Sequence, residues 1–366
     1  MELLKLNCLG QSLVLEGSMA GWQQLFLGGV VVSQLTATAD AELQRTHEFE
    51  VSASSAEDAA PQLLRCRLQS TTQWQPFVFD YQFFIDDKLV AEGKRDTKDI
   101  EQQVPEHVAP KTKGFSLLGV GALALKLLKS AKLIKVALAG ASLAAYSWLF
   151  SFQFALALII CLVIHEYGHV RAMQHFGMKT KGIYLIPFMG GAALTDDKIN
   201  TRWQDVVISM MGPCFGLLMS LACLLAYVVS GMPFFAGLAV FNAFLNLINL
   251  LPILPLDGGH VLKSISFSMN NKLGIVICVA AAALGIFISY SLGLSLFMFL
   301  MIIGCMEIFM EWRTRHNSHL LPLDRYGQIF SAVWYTLLVS CLIGIIWYFG
   351  ASGDEVMGLP LKILQS

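Results

Sequence analysis

The stretch Ile164-His165-Glu166-Tyr167-Gly168-His169-Val170 lies inside an apolar run from Phe152 to Phe176, long enough to cross a bilayer as a helix. On a helix, two imidazoles four residues apart share one face and can hold one metal ion, for which zinc is the expected choice. Glu166 sits between them, too close along the helix to join them comfortably but well placed to take a proton from a water that the metal activates. The spacing alone also suits a plain histidine pair at the end of a membrane helix. The lipid setting argues for a site, because ionisable groups at membrane depth are costly and face a polar cavity or a partner.

The chain around this motif is suited to a membrane. It has 366 residues, 55% of them hydrophobic and 14% charged, and a mean hydropathy of +0.61. Those values describe a polytopic membrane protein with room for a modest soluble domain. Charge crowds the first third and the connecting loops and nearly vanishes from long stretches after Val136. That division excludes a nucleic-acid partner. The sequence after Met1 lacks a basic region, short apolar core and small-residue cleavage site in succession, so targeting is expected from the first membrane helix and not from a cleavable signal. Cys161, Cys214, Cys223, Cys278, Cys305 and Cys341 fall in apolar segments, whereas Cys8 and Cys66 are far apart without metal-ligand spacing. All eight are expected as buried, reduced thiols.

Residues 1–110 read as a soluble, mostly β domain. Phe77, Phe79, Tyr81, Phe83 and Ile85 alternate with Val78, Asp80, Gln82 and Phe84, the period of a strand with one buried face. Asp86-Asp87-Lys88 reads as a turn into Leu89-Val90-Ala91, and Phe49 to Val51 and Leu64 to Leu68 as further strands joined by a polar connection from Ala53 to Pro61. His47, Asp86 and Asp87 are expected as solvated or turn residues. Asp96 to Lys113, with Pro105 and Pro110, reads as a linker. Lys126, Lys129, Lys132 and Lys135 interrupt an apolar helical pattern, so residues 111–135 form a basic linker with a helix at the membrane surface. A transmembrane domain over residues 136–349 and a tail over 350–366 complete the organisation.

About seven spans are expected, near Val136 to Phe150, Phe152 to Phe176, Val206 to Val229, Phe234 to Leu251, Leu273 to Tyr290, Leu292 to Met310 and Ile329 to Phe349. Outside the soluble domain, Lys and Arg gather in the lysine helix and in Arg171 to Arg202, Lys263 to Lys272 and Arg313 to Arg325. The opposite loops, around Ser151, Gly231 and Ser291, carry none. The positive-inside rule then places the N-terminal domain in the cytoplasm, the C-terminal tail outside, and His165 and His169 toward the cytoplasmic end of the second span.

Two histidines leave a zinc site incomplete, and Asp257 is the candidate third ligand. It follows Asn249-Leu250-Leu251-Pro252-Ile253-Leu254-Pro255-Leu256 and precedes Gly258-Gly259, where the fourth span reaches the same side. Pro252 and Pro255 prevent a regular helix, and the glycines allow a sharp turn near a ligand. Irregular backbone at membrane depth is tolerated where it lines a cavity. Asp257 would complete a two-His, one-Asp site with an open position for water; the alternative is that it merely starts a loop or caps the next helix.

With both segments in place, the chain resembles the site-2 protease family of intramembrane zinc metalloproteases. The likeness rests on His165 to His169 and Asn249 to Gly258 and extends from about the lysine helix through His260. It implies zinc held by His165, His169 and Asp257, Glu166 as general base and acid, and cleavage of a substrate transmembrane helix in the bilayer. It also implies a part for Asn249 in holding substrate or stabilising the oxyanion, although Asn242, Asn246 and Asn249 share a helix face and also fit a structural polar seam. Ile186 to Leu194 resembles the family's membrane-associated β segment and equally suits a plain re-entrant loop, and Met211-Gly212-Pro213-Cys214-Phe215-Gly216 resembles its small-residue helix, where a structural role is expected. His175 and His260 read as neighbours of the site or interfacial residues, and Glu307 as an interfacial ion pair with Glu311 and Arg313 nearby. No PDZ-like module separates the two motifs, leaving the N-terminal domain as the place for a cytoplasmic partner. The alternative function is a non-enzymatic membrane receptor or scaffold with a structural metal site, against which Glu166 argues.

Overall fold

Alternating apolar residues in the first hundred positions build two antiparallel sheets. The computed structural model describes residues 1–18, 21–36, 44–53, 62–74, 76–103, 131–149, 151–186, 190–195, 197, 199–269, 271–291, 295–314 and 320–350. The first sheet is a meander of β1 (Glu2–Cys8), β2 (Gln11–Gly17), β3 (Gln23–Leu27) and β4 (Val30–Leu35). The second runs β5 (Gln44–Ala53), β6 (Gln62–Trp74), β7 (Phe77–Ile85) and β8 (Lys88–Asp96). Leu3, Leu13, Leu15 and Leu25 from one sheet meet Phe49, Cys66, Leu68, Phe79 and Phe83 from the other in a single core. The β7 alternation buries Phe77, Phe79 and Phe83 as its period requires. Asp86 and Asp87 take the left-handed conformation in the β7–β8 turn, which these short polar side chains tolerate.

Two expectations for this domain need correction. His47 is not solvated: its side chain is fully buried between the sheets, because it shares the inward face of β5 with Phe49 and Val51. The stretch expected as a linker begins instead with α1 (Thr97–Glu101), where Asp96 and Asp99 form a reciprocal capping box. Residues 104–130, including Lys126 and Lys129, lie outside the described residues, as do 54–61, 187–189 and 351–366.

Helices occupy all seven apolar stretches. They are α2 (Ala131–Leu149), α3 (Phe152–His175), α4 (Arg202–Ser230), α5 (Pro233–Asn249), α7 (Asn271–Ser291), α8 (Ser295–Thr314) and α9 (Arg325–Gly350), with the shorter α6 (Asp257–Met269) between α5 and α7. Among the described residues, four helices are long and apolar enough to cross a membrane: α3, α4, Leu273–Ser291 of α7 and Arg325–Phe349 of α9. Pro233–Asn249 and Met301–Met310 are shorter apolar helices. The chain is an integral membrane protein by this measure. Ser151 caps α3, and a Thr201/Gln204 capping box starts α4, which ends at Gly231 in the left-handed conformation.

Between α3 and α4, a hairpin of β9 (Thr180–Ile186) and β10 (Gly190–Thr195) pairs Ala193 with Ile183 and Ala192 with Tyr184. Helix α2 braces β9: Lys135 Nζ donates to the Lys181 carbonyl at 2.5 Å and Ser142 Oγ to that of Leu185 at 3.3 Å. The β domain is seated on the helices through single residues. Leu321, in the α8–α9 connection, belongs to the core of the β domain and bridges Thr201 at the start of α4. Gln204 Nε2 donates to the Glu101 carbonyl at 2.8 Å, and Asn200 Nδ2 donates to that of Gln103. The cysteines are free. Cys305 and Cys341 are exposed, contrary to the expectation of burial, because their faces of α8 and α9 point outward from the bundle.

Candidate metal centre

Residue spacing on α3 and a break in the helix after α5 bring three ligand-type side chains together. His165 and His169 occupy successive turns of α3, both buried. Asp257 opens α6 after the Pro252-to-Pro255 segment. Gly258 and Gly259 let α6 start there, because a Cβ on either would lie 2.1 Å from the Leu250 carbonyl oxygen or 2.4 Å from the Ile253 carbonyl carbon. The His165 and His169 Nε2 atoms are 3.1 Å apart, and Asp257 Oδ2 lies 3.4 Å from the first and 3.5 Å from the second. These separations match the edges of a tetrahedron around zinc, about 3.3 Å for bonds near 2.0–2.1 Å.

The protons explain why the group calls for a cation. His165 Nδ1 lies 2.7 Å from Asn246 Oδ1, and His169 Nδ1 lies 2.7 Å from the Ile208 carbonyl oxygen. Each Nδ1–H donates to its oxygen, so each neutral ring turns a bare Nε2 lone pair toward the other and toward a carboxylate. Three electron-rich atoms facing one point fit a metal ion, with the outer hydrogen bonds that orient histidine ligands already made.

Glycines make room for this arrangement. A Cβ at Gly212 would lie 2.2 Å from His169 Nε2, and one at Gly168 would lie 2.3 Å from the Met211 carbonyl oxygen. Glycine at both positions lets α3 and α4 approach closely. In the turn before Pro213 of α4, the Ile208 carbonyl accepts from His169 Nδ1. Glu166 is buried beside the ligands. Its carboxylate accepts a hydrogen bond from the Ala193 N–H of β10, while a Cβ at Gly191 would overlap its side chain at 2.2 Å.

Residues 153–233 and 229–291 match the family model for peptidase family M50. This helical region is similar to peptidase family M50. The M50 region runs from α3 through α7 and so contains His165, Glu166, His169 and Asp257. The chain is 36% identical over 137 residues to a putative zinc metalloprotease of Synechocystis, a match covering 36% of each chain. It is 28% identical over 183 residues to stage IV sporulation protein FB of Bacillus subtilis, covering 47% of this chain and 63% of that one. A zinc metalloprotease of Methanocaldococcus jannaschii is 30% identical over 131 residues, or 34% of this chain and 37% of the relative. In each case the match spans less than two thirds of the relative's length.

Several residues of the M50 region escaped the sequence reading. Asn246, expected only as part of a polar seam with Asn242 and Asn249, accepts from His165 Nδ1; Asn249 closes α5 three residues later and is half-buried. The glycines at 212 and 216, expected to serve packing alone, directly accommodate the histidines and Asn246. Beyond Asp257, a polar cluster ties α6 to its neighbours. Ser264 Oγ donates to Asp205 Oδ2 at 2.6 Å, His260 Nδ1 lies 3.5 Å from Asp205 Oδ1, and Lys263 Nζ pairs with Glu307 Oε1 at 2.5 Å. Glu307 thus has Lys263 as its ion-pair partner, and His260 stands with Asp205 outside the three-ligand group. His175 ends α3, also away from that group.

Proposed function

We propose that this chain is an intramembrane zinc metalloprotease that hydrolyses a peptide bond in or near a transmembrane segment of a membrane protein, in regulated intramembrane proteolysis. The convergence of His165 Nε2, His169 Nε2 and Asp257 Oδ2 beside Glu166 carries this reading. The names of two relatives, each a zinc metalloprotease or putative one, support it. His165, His169 and Asp257 would hold the zinc, whose bound charge would polarise the scissile carbonyl and promote ionisation of the attacking water.

Glu166 takes the proton from that water and delivers one to the departing amide nitrogen. Its bond from Ala193 N–H aims the carboxylate, and the absence of a side chain at Gly191 gives it space. Asn249 would hold the substrate or offer its amide to the developing oxyanion. β10 supplies a strand against which an unwound substrate segment could lie. Seven crossings, a cytoplasmic N-terminal domain that meets a cytoplasmic partner, and an external C-terminal tail complete the reading, on the distribution of Lys and Arg.

A comparison of membrane proteomes tests the function. In cells expressing the chain with Glu166→Ala, at least one membrane protein should accumulate uncut and its released fragment disappear. Identical membrane proteomes in wild-type and variant cells would overturn the protease reading.

A further inference from the structure

The hydrogen bonds behind His165 form a directional series that begins at a backbone carbonyl. The Gly216 carbonyl of α4 accepts from Asn242 Nδ2 at 2.8 Å, and the same nitrogen lies 2.7 Å from Ser220 Oγ. A carbonyl can only accept, so Asn242 must turn its Nδ2 toward α4 and its Oδ1 the other way. That Oδ1 and the Asn242 carbonyl oxygen receive Asn246 Nδ2, at 3.2 Å and 2.7 Å. The opposite orientation of the Asn246 amide would put its oxygen against two other oxygens. Asn246 Oδ1 is therefore left facing His165 Nδ1 at 2.7 Å.

The consequence is chemical. An oxygen acceptor at that point requires His165 to carry a proton on Nδ1, which in the neutral ring bares Nε2 toward His169 and Asp257. His169 obtains the same tautomer from the main chain, through the Ile208 carbonyl. His165 has only a side chain to set it. Both asparagines are about 2% exposed, so water does not compete for these bonds. A Cβ at Gly216 would stand 2.0 Å from Asn246 Oδ1; glycine at that position is the space in which the amide sits.

We propose that Asn246 is the positioning residue of the metal centre, with Asn242 as its lock: together they fix the tautomer and ring plane of His165 before metal arrives. This rests on the reading that His165, His169 and Asp257 hold zinc. The acceptor is also neutral. Two neutral imidazoles and one carboxylate leave a bound dication with a net charge of +1, whereas an ionised carboxylate at position 246 would cancel it and weaken the centre as an electrophile.

The test uses full-length protein in liposomes with ¹⁵N-labelled histidine, read by solid-state NMR without metal, and zinc affinity measured by chelator competition. Wild type should show His165 as a single Nδ1–H tautomer. Asn246→Leu should give a mixture with Nε2–H, and because loss of such an outer partner typically lowers metal affinity about 10- to 100-fold, zinc binding should weaken by that factor. Asn242→Leu frees the Asn246 amide to turn and should shift both readouts in the same direction by less. A merely structural role for the asparagines would leave the tautomer unchanged. If Asn246→Leu does not fold, the wild-type spectrum still decides: an Nε2–H tautomer there overturns the proposal. Unchanged tautomer and affinity in folded Asn246→Leu also overturn it while leaving the zinc reading intact, whereas a wild type that takes up no zinc defeats the zinc reading itself.

Discussion

The imidazole of His47 has both nitrogens engaged, Nδ1 with Ser33 Oγ at 2.9 Å and Nε2 with Gln23 Oε1 at 3.1 Å. Burial first, and the charge of Arg45 second, push its pKa down to about 4 from the usual 6.5. The folded state thus prefers the neutral ring, while the unfolded chain takes up a proton near pH 6.5. Stability from this residue is complete above that pH, declines as pH falls from about 6.5 to 4, and levels off below. At about 1.4 kcal/mol per pH unit the full loss is about 3.5 kcal/mol. Hydrogen exchange of β5 amides in the full-length protein should show protection falling over that window, with a flat response in His47→Gln; parallel curves would refute the assignment. His47 was legible in one respect, since it has the same parity as Phe49 and Val51 on β5. The ligands were more legible, because four-residue spacing on a helix and an aspartate after two prolines are local signals. Asn246, Gly212 and Gly216 were not, because their roles exist only where α3, α4 and α5 approach one another.

At the scale of elements, uninterrupted apolar runs marked the positions of α2 to α5 and α7 to α9. Helix ends were less readable: α4 begins at Arg202 and not near Val206, because the Thr201/Gln204 capping box recruits polar residues into its first turn. The short α6 was hidden for a different reason. It carries Lys263 and several serines, and its stability comes from pairing across the bundle with Asp205 and Glu307, which no single-helix pattern reveals. Which way each helix runs across the bilayer rests on basic residues in alternate loops, at Arg171 to Arg202, Lys263 to Lys272 and Arg313 to Arg325. A reporter fused before Met1 should therefore be cytoplasmic, and one after Ser366 external. The reverse pattern would invert the proposed topology and move the metal centre to the other side.

Across the whole molecule, the β domain and the M50 region meet at the start of α4. Leu321 enters the β core from the α8–α9 connection, and Gln204, which caps the helix bearing Gly212 and Gly216, also holds the Glu101 carbonyl. A β domain could be foreseen from alternation, but its seat could not: one leucine in a loop has no periodicity. The arrangement as a whole stands on a claim about chemistry, that Glu166 works as a base beside a metal held by His165, His169 and Asp257. The most direct measurement compares wild type with Glu166→Gln, purified and reconstituted in liposomes, for zinc content and for cleavage of single-span membrane proteins that the wild type cuts. The account predicts equal zinc and a cleavage rate lower by about 10² to 10⁴, the usual contribution of general acid–base catalysis; equal cleavage by the two proteins would contradict it.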